Sequence, residues 1–166
     1  SVYVGYSRVA GEKQVRKILI TRQNQEWSEL VKIFDSFNSK FYQLDHTGTP
    51  LIWYRGVANF SLNHVEEAFG DFKKAYHNHP NHVHVLNNLA TVYELRNNHE
   101  QAINLYIKAI NIAPKFEDAL INLSAVYYNS GQYQKAYKTI RKVRYDQNNS
   151  KLLFYLDRIQ KKIKFQ

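Results

Sequence analysis

Four of the seven histidines, His77, His79, His82 and His84, fall within eight consecutive residues, and neutral imidazole is a common metal ligand. Zinc sites, however, use characteristic pair spacings and usually add thiolates or carboxylates. Here Pro80 divides the set between the end of one expected helix and the start of the next, which sends His77 and His84 in different directions. No metal site is expected. A second pattern interleaves Lys and Arg with tyrosines across residues 133–145. Stacking combined with phosphate attraction is how single-stranded nucleic acid is held, but core tyrosines beside surface lysines account for the pattern more simply, and a nucleic-acid partner is not favoured. Cysteine is absent, which removes thiolate chemistry and disulfides. Nor is there a Gly-rich phosphate loop, a His-Glu-x-x-His pair or a nucleophile elbow. No catalytic residue and no cofactor is expected.

The elements that must position any functional residue come as a repeat. Residues 49–82, 83–116 and 117–150 are one 34-residue unit written three times, with Ala68, Ala102 and Ala136 at position 20. Position 8 holds Gly56, Ala90 and Ser124, position 24 holds Phe72, Tyr106 and Ile140, and position 27 holds Ala75, Ala109 and Val143. Small residues at positions 8 and 20 let two helices cross closely, ridge into groove. Leu86, Leu89 and Tyr93, then Leu120, Leu123 and Tyr127, recur at i, i+3, i+7, the spacing of an apolar helix face. Position 15 holds Asn63, Asn97 and Gly131, residue types that adopt the left-handed conformation ending a helix. Position 32 holds Pro80, Pro114 and Asn148, and proline cannot continue a helix. Thr49 and Pro50 read as an N-cap and first helical residue, and Ser150 as the N-cap of a final helix.

This pattern resembles the tetratricopeptide repeat, a helix–turn–helix of the same period, over 102 of the 166 residues. The resemblance implies an all-α, right-handed solenoid of helix–turn–helix units with a C-terminal capping helix. Residues 151–166 supply the cap, with Leu152, Tyr155, Leu156, Ile159 and Ile163 on one stripe, as a solenoid end requires. Residues 11–48 contain a degenerate helical pair, threaded over 11–42 with Trp27, Leu30, Phe34 and Phe37 at positions 17, 20, 24 and 27, and residues 1–10 form an N-terminal arm without helical period.

Members of the family bind an extended peptide in the concave groove, through positions 2, 5, 9 and 12 of each first helix. Carried onto this chain, those positions hold Pro50, Trp53, Val57 and Phe60 in the first unit, His84, Asn87, Thr91 and Glu94 in the second, and Asp118, Ile121, Ala125 and Tyr128 in the third, and Asn88 and Asn122 at position 6 join the groove beside them. Aromatic residues anchor interfaces well, and Asn can hold a ligand main chain. Trp53 and Phe60 have a second reading, as residues packed beneath the N-terminal segment. Members that grip a C-terminal carboxylate carry Lys and Asn at positions 5 and 9, Asn at 6, then Lys and Arg at 2 and 6. Here these positions hold Trp53, Val57, Asn88, Asp118 and Asn122, of which only Asn88 matches, so no carboxylate grip of that type is expected. Arg55 and Asn59 depart from the family at positions 7 and 11. Arg is almost never buried unpaired, which predicts an acidic or carbonyl partner for Arg55 from the N-terminal segment, with Asp45 or Asp35 as candidates.

The net charge of +9 is uneven: residues 117–166 hold ten Lys or Arg against four acidic residues. Arg141, Lys142, Arg144, Lys151, Arg158, Lys161 and Lys162 form a basic patch that suits an anionic surface or nucleic acid as an alternative function, or simply a solvated helix face. No run approaches the ~20 apolar residues of a membrane span. The chain opens on Ser1 and lacks methionine, and is expected to be a monomeric piece of something longer, its compartment open. A weaker resemblance, carried by Gly11-Glu12 after a short aromatic stretch and by residues 41–45, 53–56 and 85–89, is to the soluble C-terminal tail of bacterial O-antigen ligase or polymerase-like membrane proteins. That would imply a scaffold in polysaccharide assembly, tied to a membrane only through a missing parent segment. The primary expectation is a non-catalytic module that binds a protein or peptide in its groove.

Overall fold

The structure, a computed structural model, describes residues 2–36 and 43–164, with side chains from residue 11 onward except that of Asp35. The described chain is all-α. Its helices are α1 (Val2–Gln23), α2 (Trp27–Asp35), α3 (Leu51–Ser61), α4 (Val65–Asn78), α5 (Val83–Leu95), α6 (His99–Ile112), α7 (Glu117–Asn129), α8 (Tyr133–Ile140) and α9 (Ser150–Lys164). Each 34-residue unit thus contains one helix pair. The chain forms two compact units, Ser1–Pro80 and Asn81–Gln166. No described helix is long and apolar enough to cross a membrane.

The turns repeat atom for atom. Asn63, Asn97 and Gly131 have φ of 62°, 58° and 74°, as position 15 predicts. After each, a main-chain N–H reaches back five residues, from His64 to Asn59 at 2.8 Å, Asn98 to Tyr93 at 2.9 Å and Gln132 to Tyr127 at 2.8 Å. This satisfies a carbonyl that the helix end would leave bare. The turn between α1 and α2 is built identically, with Gln25 at φ 58° and Glu26 bonded to Thr21 at 3.0 Å. Threaded from residue 11, Gln25 is again position 15, so the degenerate pair shares the register of the others.

In the first unit, α1 packs on α2 and α3, and α3 packs on α2 and α4. Leu30 and Phe34, threaded at positions 20 and 24, are buried with Ile18, Tyr54 and Phe72; Phe37 lies outside the described residues. The backbone of residues 2–10 continues α1, where the sequence suggested an arm without helical period. The link into α3 is organised by Asp45. Its Oδ1 accepts from the Thr47 amide at 2.7 Å, the Thr47 hydroxyl at 2.6 Å and the Thr49 amide at 2.9 Å, and its Oδ2 accepts from the Tyr54 hydroxyl at 2.6 Å. Burial alone would raise this carboxyl, but those hydrogen bonds prevail and hold it below its usual range. Thr49 is buried in this turn and Pro50 pairs with Leu44, so the helix begins one residue later than expected, with Pro50 in the cap position.

In the second unit, α5 packs on α6, α7 packs on α5, α6 and α8, and α9 closes over α7 and α8. Leu120, Ile121, Ala136, Ile140, Val143, Leu152 and Ile159 form one buried cluster, with Tyr155, Leu156 and Ile163 against it. The stripe expected of the cap therefore faces the core, and the fully buried Leu152 and Ile159 contribute roughly 1.5–3 kcal/mol each. The side chain capping α9 is that of Asn149, which accepts from the Leu152 amide at 3.0 Å, rather than that of Ser150. α8 has 8 residues where α4 and α6 have 14.

Candidate partner-binding face

In the first unit, α3 presents its candidates unequally. Trp53 is 7% exposed and stacks edge-on against Tyr54 at 5.1 Å. The Arg22 guanidinium of α1 lies 5.4 Å from the Trp53 ring and 5.5 Å from that of Tyr54. Trp53 is thus a core residue covered by the N-terminal segment, and its assignment as a groove anchor is corrected. Val57 is half-buried and Phe60 is exposed. The partner of Arg55 is also corrected. Arg55 donates from Nε to Asp71 Oδ2 at 3.0 Å and from Nη2 to Oδ1 at 2.6 Å, and Asn59 Nδ2 reaches Oδ2 at 2.9 Å. An acidic partner exists, but it comes from α4 of the same repeat. Asp45 is committed to its own turn, and the side chain of Asp35 lies outside the described residues.

The second unit brings the polar candidates together. Asn87 on α5 donates to Asn88 Oδ1 at 3.2 Å, and Asn122 on α7 donates to Asn87 Oδ1 at 3.0 Å. Lys151, at the start of α9, donates a short hydrogen bond to Asn122 Oδ1. Three alternate helices, α5, α7 and α9, are thereby joined by one chain of side chains. Asn87 and Asn122 lie 35 residues apart, positions 5 and 6 of neighbouring repeats, so the period itself places them face to face. The sequence places Lys151 only in the basic patch, because nothing in the spacing shows which way a terminal helix delivers a lysine.

Around this chain, the Thr91 hydroxyl bonds to the Asn87 carbonyl at 3.0 Å and meets the Tyr106 hydroxyl at 2.9 Å. Glu94 also bonds to Tyr106; its burial raises the carboxyl above its usual range, against the attraction of Lys151 and His99. Burial likewise pushes the Tyr106 hydroxyl up. Tyr128 is half-buried, its ring 5.5 Å from Tyr133 and 6.3 Å from Tyr155. His84 is exposed and meets Phe116 edge-on at 4.9 Å, and Asp118 is exposed. Ile121 is 3% exposed within the α7–α9 core, so its placement in the groove is corrected: the cap claims that face of α7.

The basic candidates Arg141, Lys142, Arg144, Lys151, Arg158, Lys161 and Lys162 are all exposed. Arg158 lies 4.3 Å from the Phe154 ring, Arg141 5.5 Å from Tyr137 and Lys162 5.9 Å from Tyr133, while Lys161 pairs with Asp157 at 2.8 Å. Of the clustered histidines, His82 accepts from the Val85 amide at the start of α5. Among the described residues, no group of three or more His, Cys, Asp or Glu is placed to hold a metal.

Family models for the tetratricopeptide repeat match residues 52–115 and 95–156. No curated protein matches the chain. Among solved structures, the chain is similar to MamA protein, at 19% identity and a TM-score of 0.68 over 93% of this chain and 76% of that one. It is similar to the first tetratricopeptide domain of Spaghetti (RPAP3) bound to an HSP90 peptide, at 16% identity and a TM-score of 0.64 over 74% and 98% of the two chains. It is similar to the Sgt2 tetratricopeptide domain from Aspergillus fumigatus, at 19% identity and a TM-score of 0.61 over 74% and 83%. At such identities these likenesses speak for the fold, and none lends support to the O-antigen ligase resemblance. With helix pairs repeating every 34 residues and two matching family models that together span residues 52–156, the chain belongs to the tetratricopeptide-repeat family.

Proposed function

We propose that the chain is a non-catalytic interaction module that holds an extended peptide or protein segment against α5, α7 and the start of α9. The observation that carries this reading is the hydrogen-bonded chain Asn88–Asn87–Asn122–Lys151. Side-chain amides carry donor and acceptor in one plane and so suit a peptide main chain. Asn87 and Asn122 are only 7% and 8% exposed, each spending one of two N–H donors among the described residues, so the accessible part of the chain is half-buried Asn88 and exposed Lys151. Membership of a family of interaction modules supports a protein or peptide partner, and the Spaghetti domain was solved with a peptide bound. Flanking rings of His84 and Tyr128 add apolar area at small entropic cost.

The test is selection from a random peptide display library on the intact chain, followed by calorimetry of the selected peptides on the intact chain and on Asn122→Ala. Loss of one amide contact predicts a roughly tenfold weakening, since a hydrogen bond contributes about 1 kcal/mol or somewhat more. Equal binding by a variant of unchanged helicity would remove this face from the reading.

A further inference from the structure

Residues 133–164 contain ten Lys or Arg and two acidic residues, so they hold +8 of the chain's net +9. They also contain a marked departure from the repeat. α8 stops at Ile140, and residues 141–149 lead to α9 without helix. A cavity of about 230 Å³ opens where the helix stops, floored by apolar residues including Leu152 and Leu156 and flanked by Tyr137, Tyr145, Arg141 and Gln160. Its volume falls below the ~300 Å³ of a usual ligand pocket, which suits a single planar ring rather than a whole cofactor. Tyr145 is 68% exposed, a large aromatic surface left in water beside a concentrated positive charge.

We propose that this face binds single-stranded nucleic acid, with one base entering the cavity against Tyr137 and Tyr145 and the flanking phosphates on Arg141, Lys142 and Arg144. The chemistry has three complementary parts. Tyrosine faces stack on any base, guanidinium and ammonium groups attract the backbone, and the Gln160 amide offers both a donor and an acceptor to a base edge. An acidic peptide would use the cations and leave the cavity and Tyr145 without a role. An anionic membrane would call for an exposed apolar stripe, whereas Leu152 and Ile159 of α9 are turned into the core. The site is separate from the Asn87–Asn122 chain and does not depend on it.

Fluorescence anisotropy with a labelled oligouridine tests this on the full chain, compared with an abasic strand of equal length, an acidic peptide and anionic vesicles. The oligonucleotide is expected to bind, with Tyr145→Ala weakening it about 5- to 150-fold, the range that base–aromatic stacking spans per base. Arg144→Ala should lower the slope of log affinity against log salt by about 0.7, the value for one phosphate contact on a single strand. Tyr145 is exposed enough that its removal leaves folding intact, and circular dichroism checks this. The abasic strand should bind the intact chain as weakly as the normal strand binds Tyr145→Ala. Abasic and normal strands binding alike, an unchanged Tyr145→Ala, or binding of only the acidic peptide or the vesicles would overturn the proposal. Asn122→Ala should leave strand binding unaltered, so this result and that for the peptide face are read independently.

Discussion

Arg55 grips Asp71 through two hydrogen bonds of 3.0 and 2.6 Å, from Nε and Nη2 to the two carboxylate oxygens. The arrangement links α3 to α4 inside one repeat, with the Asp71 side chain 4% exposed and that of Arg55 25% exposed. Removing the cation leaves a buried carboxylate with Asn59 as its remaining partner. Loss of one member of a buried pair costs about 3–5 kcal/mol; with Arg55 a quarter exposed, Arg55→Leu is expected near 3 kcal/mol in urea unfolding. Arg55→Leu combined with Asp71→Leu should recover much of that loss, because no unpaired charge remains. A double variant no better than Arg55→Leu would mean that the pair contributes shape rather than charge balance.

Gly56 makes the same crossing possible from the apolar side. A Cβ at residue 56 would stand 2.6 Å from Cε1 and 2.7 Å from Cδ1 of Phe72, and 3.2 Å from Cβ of Asp71. In an isolated helix Gly→Ala stabilises by about 1 kcal/mol, so the sign of Gly56→Ala decides whether the contact matters. Overpacking of this kind costs about 1–3 kcal/mol, and Gly56→Ala should lower the unfolding midpoint. Pairing it with Phe72→Leu, which withdraws the ring edge, should make the alanine less harmful than it is alone.

Gln25 occupies the turn position held elsewhere by Asn63, Asn97 and Gly131, at the same positive φ. Left-handed backbone costs most non-glycine residues roughly 1–2 kcal/mol, and asparagine less. Gln25→Gly should therefore stabilise the chain by about 0.5–1 kcal/mol after glycine's extra freedom in the unfolded state is subtracted. Asn63→Gly and Asn97→Gly should change it less. Chemical denaturation of the three variants gives the order directly, and a loss of stability in Gln25→Gly would contradict it.

Gln25 also shows what the sequence could and could not express. The repeat was legible because it is written in residue types whose backbone or volume requirements are local: small residues at a crossing, Asn or Gly at a left-handed turn, apolar residues along one helix face. Even the degenerate pair kept that register. The partner of Arg55 was not legible, since Asp45, Asp35 and Asp71 carry the same charge and only the packing of α3 on α4 chooses among them. Within the proposed binding face, the 35-residue separation of Asn87 and Asn122 reflects the period, though their hydrogen bond was not legible from it. The burial of Trp53 beneath Arg22 and the arrival of Lys151 at Asn122 depend on α1 and α9, which lie outside the good repeats and have no template to orient them.

Glu94 gives the proposed binding face a pH dependence of defined sign. Burial raises its carboxyl from 4.5, and the attraction of Lys151 and His99 with the Tyr106 hydrogen bond only partly opposes this. With its pKa higher in the folded state, Glu94 keeps a proton there that the unfolded chain has already released. The native state then binds more protons, and this group's contribution to stability falls as pH rises from the unfolded value through the folded one. Measured from about pH 4 to about pH 5.5, a window below the usual range of histidine titration, the melting temperature of Glu94→Gln should therefore gain steadily on that of the unaltered chain. In a Lys151→Met background the gain should be larger, because the ammonium that opposes the shift is gone. If the unaltered chain gained on Glu94→Gln instead, the folded protein would be stabilising the carboxylate, and Lys151 rather than burial would govern the charge of this face.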